Sequence, residues 1–149
     1  MSRLLKLLER RWSQVRWGAL LLETAFYLVI ARLALKHVRF QRLTPFFERP
    51  ARQPELAGEQ RAQVRSEVQR AIWMVASRLP GKMVCFPRAI AAQALLRRRG
   101  VGTVLYYGAR TEADKGLNAH VWVQDGAHPV VGKRSAEGLR VLSRYPSAP

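Results

Sequence analysis

The chain's one cysteine, Cys85, stands where a helix should begin, and His120 stands on what reads as a strand further along. Pro80-Gly81 ends whatever comes before, Pro87 is tolerated only in a first helical turn, and Gly100 follows a cationic last turn, Arg97-Arg98-Arg99. A helix start presents unpaired N–H groups and the positive end of the macrodipole, and both favour thiolate over thiol. That is the setting of a cysteine nucleophile, which in turn needs a base. The best candidate is His120 in Ala119-His120-Val121-Trp122-Val123-Gln124, a period-two run that puts His120, Trp122 and Gln124 on one face. The inert alternative is a small buried thiol and a satisfied structural histidine. His37, in a cation-rich helix, and His128, at a hairpin loop before Pro129, are weaker candidates.

The elements that must position this pair follow from periodicity. Leu4, Leu8, Trp12, Val15, Ala19, Leu22, Phe26 and Leu33 mark residues 2–39 as one long helix or two in tandem, with Gly18 as the expected break. Between Trp17 and Leu35 the apolar face widens to nearly the whole circumference. That predicts burial against the rest of the protein, with a partner or a membrane surface as the alternative. Residues 40–58, with Pro45, Pro50, Pro54 and Gly58, read as a loop or linker. Val64, Val68, Ile72, Val75 and Leu79 predict a second amphipathic helix, with Glu59, Arg61, Arg65, Glu67 and Arg70 as its wet positions. After Gly100 the pattern turns extended: a strand over 103–109, a polar loop over 110–116, a strand over 117–124, a hairpin turn at Asp125-Gly126, and short strands at 130–131 and 139–142. Helices first and strands last predict an α+β fold, the cysteine helix packed on a small antiparallel sheet. The expected organisation is an N-terminal helical region and Pro-rich linker over 1–58 and the core over 59–149.

Composition bounds the partners. The 149 residues carry a formal charge of +16. Residues 1–70 hold 14 Lys/Arg against 6 Asp/Glu, and residues 71–149 hold 12 against 4, so the charge is spread and no basic tail exists. Such a field favours acidic partners without choosing among them. One cysteine excludes an internal disulfide and, with no Cys/His cluster, argues against a structural zinc site. A reducing, cytoplasmic setting is expected, and no cofactor or metal. Glu23 and Arg32 interrupt the N-terminal apolar run before the ~18 uncharged residues of a spanning segment are reached, which leaves peripheral membrane contact open. No GxSxG, Walker, HExxH or GxGxxG pattern occurs. Arg97-Arg98-Arg99 reads most simply as a solvated helix end.

Pro80, Cys85-x-x-Arg88-Ala89, Leu95-Leu96-Arg97-Arg98-Arg99-Gly100, Tyr107-Gly108 and Ala119-His120-Val121-Trp122-Val123 followed by Asp125-Gly126 resemble the lasso-peptide biosynthesis leader peptidases. These are transglutaminase-like, papain-related cysteine proteases, and the resemblance covers roughly residues 65–145. It implies a transglutaminase-like core and an enzyme that removes the leader from a ribosomally made precursor peptide. Cys85 would be the nucleophile and His120 the base. The implied partners are the precursor's leader, a separate leader-recognition protein, and an ATP-dependent macrolactam synthetase that receives the freed amine. The rival is a non-catalytic basic adaptor for an acidic peptide, nucleic acid or a membrane surface. Nucleic acid is not expected, because the aromatic-basic interleaving of an RNA platform is missing.

One position departs from the family pattern. The family places an aspartate about twelve residues after the histidine to orient the imidazole, and here that position is Gly132. Asp125 is too far, since five residues along a strand cover about 16 Å. A carbonyl, Gln124, Asn118 or Glu137 could serve, and the third member stays unassigned.

Overall fold

The computed structural model describes residues 2–81 and 83–147. Four helices are followed by an antiparallel sheet: α1 (Ser2–His37), α2 (Phe40–Phe47), α3 (Gly58–Ala76), α4 (Cys85–Arg98), β1 (Val104–Glu112), β2 (Gly116–Asp125), β3 (His128–Val131) and β4 (Arg140–Tyr145). A 3-10 turn, Lys133–Ala136, lies between the last two strands. The sheet order is β3-β2-β1-β4. The fold is the expected α+β, with the cysteine helix against a small antiparallel sheet.

Helix α4 is the centre. From Ala89 to Leu96 every side chain is buried, because α1 and α3 cover one side and β1, β2 and β3 the other. A helix apolar around its circumference is stable only when so enclosed. Its alanines at 89, 91, 92 and 94 let the neighbours approach closely, and Leu95 and Leu96 fill the space between with Leu28, Ile72, Leu105, Val121 and Val123. The one buried polar side chain in this run, Gln93, donates from Nε2 to the Tyr145 carbonyl at 2.9 Å, which ties α4 to the end of β4.

Three expectations are corrected. Gly18 does not break the first helix, which is continuous. Residues 40–58 are not all loop. Phe40–Phe47 is helical although it contains Pro45. The proline removes the N–H that would bond the Gln41 carbonyl, and the Thr44 hydroxyl donates there instead at 2.8 Å. What makes α2 stable is tertiary: Phe47 is fully buried, and Phe40 packs against Phe47, Phe86, Tyr107 and Tyr145 at centroid distances of 5.4–6.0 Å. Lastly, the wide apolar face of α1 is buried on one side only. Leu20, Thr24, Leu28 and Ala31 face inward, while Leu22, Phe26, Val29, Ile30 and Leu33 remain exposed.

The polar contacts also differ from a simple amphipathic reading. Arg61 and Arg65 are not wet positions. They are half-buried and hold the carboxylate of Asp125, at 2.7 Å each, and Arg61 Nη2 also donates to the Gly102 carbonyl at 2.8 Å. So the hairpin turn after β2 is fastened to α3. Arg97-Arg98-Arg99 is likewise structural. Arg97 donates to the Phe46 and Phe47 carbonyls at the end of α2, and Arg98 and Arg99 both pair with Glu23 of α1.

Burial pushes the Asp125 carboxyl up, but hydrogen bonds from Arg61 and Arg65 outweigh it and hold the group below the usual carboxylate range. A depressed native pKa stabilises above the unfolded value, ~3.9 for aspartate, and that contribution is lost as pH falls through the native value. Asp125→Asn is therefore expected to cost about 2–4 kcal/mol at pH 7 in urea denaturation. The difference from wild type should shrink steadily below pH ~4. An unchanged difference at pH 3 would show that the charge is not what matters.

Candidate active site

Cys85 is the first residue of α4, and its setting is built from four elements. Val84, at the N-cap, makes no side-chain cap hydrogen bond to the first turn of the helix. Next to the cysteine, Phe86 packs edge-on against Phe40 of α2 at 5.7 Å and against Tyr107 of β1 at 6.0 Å. Before it, Arg32 of α1 donates to the Pro80 carbonyl at 2.7 Å. Gly81 has φ of +81°, and a Cβ there would lie 2.5 Å from the Arg32 guanidinium, so glycine suits both the backbone and the clamp. Arg32, which interrupts the apolar run in the sequence, thus fixes the approach to the cysteine.

His120 sits on β2 opposite Gly108 of β1. Val121 and Val123 point to the core and are fully buried, while His120, Trp122 and Gln124 line a cavity of about 1010 Å³. Cys85 lines the same cavity. Trp122 stacks on Tyr106 at 5.4 Å, and a Cβ at Gly108 would meet its ring at 2.9 Å. A side chain at Gly108 would therefore push Trp122 out of the cleft wall.

The orientation of the imidazole is set by a single hydrogen bond, Nε2 to the Gly132 carbonyl at 2.8 Å. A carbonyl oxygen only accepts, so Nε2 carries the proton and in the neutral ring Nδ1 is left with its lone pair. The position where the family pattern has aspartate supplies its backbone instead of a side chain. Gly132 has φ of +82°, and a Cβ would stand 2.7 Å from the Val121 carbonyl and 3.1 Å from Trp122 Cβ. A side chain of any kind is excluded in this conformation.

The other residues considered for the third role are placed elsewhere or only nearby. Asp125 is committed to Arg61 and Arg65. Asn118 donates to Glu112 at 3.0 Å. Gln124 and Glu137 line the cavity, but the imidazole bonds the Gly132 carbonyl instead. His37 and His128 are exposed, at the end of α1 and the start of β3. Among the described residues no group of His, Cys, Asp and Glu gathers that could hold a metal ion.

Several cavity residues carried no assigned role in the sequence reading. Gln69 and Trp73, one turn apart on α3, form part of the wall, and Trp73 is largely exposed beside the buried Ile72. A tryptophan flanking the apolar stripe of α3 was the available signal. Arg88, one turn after Cys85, has its Nε buried without a hydrogen-bond partner among the described residues. Together with Lys133 and Arg134 it makes the lining cationic, against one acid, Glu137.

Gly132→Ala tests the imidazole anchor. It should cost about 1–3 kcal/mol through the strained φ and the clash with Val121. Ring ¹⁵N NMR of His120 should show the Nε2–H tautomer in the wild type and a mixture in the variant. A wild-type ring protonated on Nδ1 alone would contradict the assignment.

In comparison with known protein families, the one described as the transglutaminase-like superfamily matches residues 25–144. No curated protein and no solved structure matches the chain. The family match takes in the last third of α1, all of α2, α3 and the cysteine helix, and nearly all of the sheet. The chain belongs to the transglutaminase-like superfamily.

Proposed function

We propose that this chain is a cysteine peptidase that removes the leader from a ribosomally synthesised lasso precursor peptide before macrolactam closure. The observation that carries the peptidase reading is the shared cleft: a cysteine at an uncapped helix start and a histidine held by Gly132 in the tautomer of a base. The leader specificity rests on the motif resemblance.

In this reading the Cys85 sulfur attacks the scissile carbonyl and His120 Nδ1 takes the thiol proton. The oxyanion of the tetrahedral intermediate is met by backbone N–H groups at the start of α4, that of Cys85 first. Collapse breaks the C–N bond, and the imidazolium returns its proton to the leaving amine, which becomes the N-terminus of the core peptide. Water, deprotonated by the same imidazole, then hydrolyses the thioester and frees the leader. The Gly132 carbonyl, a neutral acceptor in place of a carboxylate, keeps the imidazole oriented throughout.

The lining suits a peptide. Ile72, Trp73, Val130 and Val131 offer apolar contact, and Arg88, Lys133 and Arg134 offer donors to carbonyls or acidic side chains. An acceptor from the bound chain would satisfy the orphaned Arg88 Nε. The proposed partners are a separate leader-recognition protein and an ATP-dependent macrolactam synthetase, working in the cytoplasm. The expectation of a recognition partner rests on the motif resemblance.

Cys85→Ala and His120→Ala are each expected to lower precursor cleavage by on the order of 10³-fold or more, with circular dichroism unchanged. Cleavage should also be slow until the recognition partner is added. Full activity of either variant would remove the mechanism. Precursor binding that falls steeply with salt, without cleavage and unaffected by Cys85→Ala, would instead favour the basic adaptor.

A further inference from the structure

Helix α1 presents two faces. The inner one, from Leu20 to Ala31, packs on α3 and α4, and the outer one has no partner among the described residues. On the outer face Leu5, Trp12, Ala19, Phe26 and Leu33 recur every seven residues, and Leu8, Val15, Leu22 and Val29 do the same three positions behind them. Every one of these nine is exposed, Leu22 at 76%, Trp12 at 68% and Phe26 at 60%. Leu4 and Ile30, also exposed, widen the stripe further. A continuous apolar strip running the length of a 36-residue helix is far more than scattered surface leucines, and it marks an interaction site.

The charge pattern says what covers it. Residues 3–16 are exposed throughout and carry Arg3, Lys6, Arg10, Arg11 and Arg16 against the single acid Glu9. An apolar strip bearing tryptophan, backed and flanked by cations, is the composition of a helix lying in an anionic interface. The alternative suggested by the seven-residue spacing, pairing with a second copy, fits worse. It would bring together two chains of +16. The charged flanking positions that select a coiled-coil partner are partly spent, since Glu23 is paired with Arg98 and Arg99 and Arg32 holds the Pro80 carbonyl. Others are uncharged: Gly18, Ala25 and Ile30.

By length and composition α1 could also cross a bilayer. Its inner face argues against that. Leu20, Leu28 and Ala31 are buried against the body of the protein, and pulling the helix through a membrane would uncover α4.

We propose that α1 docks the protein on an anionic membrane surface, flat in the headgroup layer, with the cleft formed by other elements left open. This is independent of the peptidase reading, because none of the outer-face residues lines the cleft. The test is flotation of the full-length protein with vesicles of phosphatidylcholine alone or with added phosphatidylglycerol, for wild type and for Leu22→Glu/Phe26→Glu. Both substitutions are at exposed positions, and circular dichroism reports whether the fold is kept. The expected result is flotation with the anionic vesicles, about tenfold weaker with the neutral ones, and about tenfold weaker again for the folded double variant. No flotation of the wild type, or equal flotation of the variant, would overturn the proposal. So would a lipid-free dimer in sedimentation that the double variant dissociates, which would give the strip to a second copy.

Discussion

A helix that is apolar on every side must be covered on every side, and that demand by α4 arranges most of the chain. Its run from Ala89 to Leu96 admits no solvent, so α1 and α3 close one flank and the sheet the other. Only the ends of such a helix can reach a surface. One end carries Arg97-Arg98-Arg99, which ties α1 and α2 to it through Glu23 and the Phe46 and Phe47 carbonyls. The other carries Cys85, which stands at the cleft as the consequence of everything behind it being buried. The proposed nucleophile thus has a rigid backbone beneath it and helix-start N–H groups beside it, the two conditions that proximity and oxyanion stabilisation require.

The histidine is held by a lighter device. A carboxylate in the third position would both orient the ring and favour its protonated form, whereas the Gly132 carbonyl orients it by a neutral hydrogen bond. The substitution is enforced by geometry, since the left-handed backbone at Gly132 and the closeness of Val121 leave no room for a side chain. The hairpin that brings this carbonyl to His120 is itself fastened to α3 by Asp125, Arg61 and Arg65. An acid that looks tempting as a catalytic member in the sequence thus acts at a distance, as the clamp on the loop that carries the real partner.

What the sequence discloses here depends on how local the cause is. The start of α4 is marked by Pro80-Gly81 and Pro87, and the β2–β3 hairpin by Asp125-Gly126, because turn chemistry is written in two or three adjacent residues. The split of β2 into a valine face and a His-Trp-Gln face follows from the pleat alone. By contrast, α2 is held by aromatic contacts that reach as far as Tyr145, while Pro45 within it and Pro50 and Pro54 after it make the stretch read as a linker. Arg61 and Arg65 look like solvated positions until the partner strand supplies Asp125. The apolar circumference of α1 says that much surface must be covered, and not that the protein covers only half of it.

Cys85 and His120 are proposed to act as one unit, and the chain's single cysteine makes this directly measurable. Intact-protein mass spectrometry of an iodoacetamide time course at pH 7 reports modification of Cys85 alone. A pair working together predicts rapid alkylation in the wild type, slowed about tenfold or more in His120→Ala. Slow alkylation at the same rate in both proteins would contradict it, and would leave Cys85 as a structural thiol at the head of a buried helix.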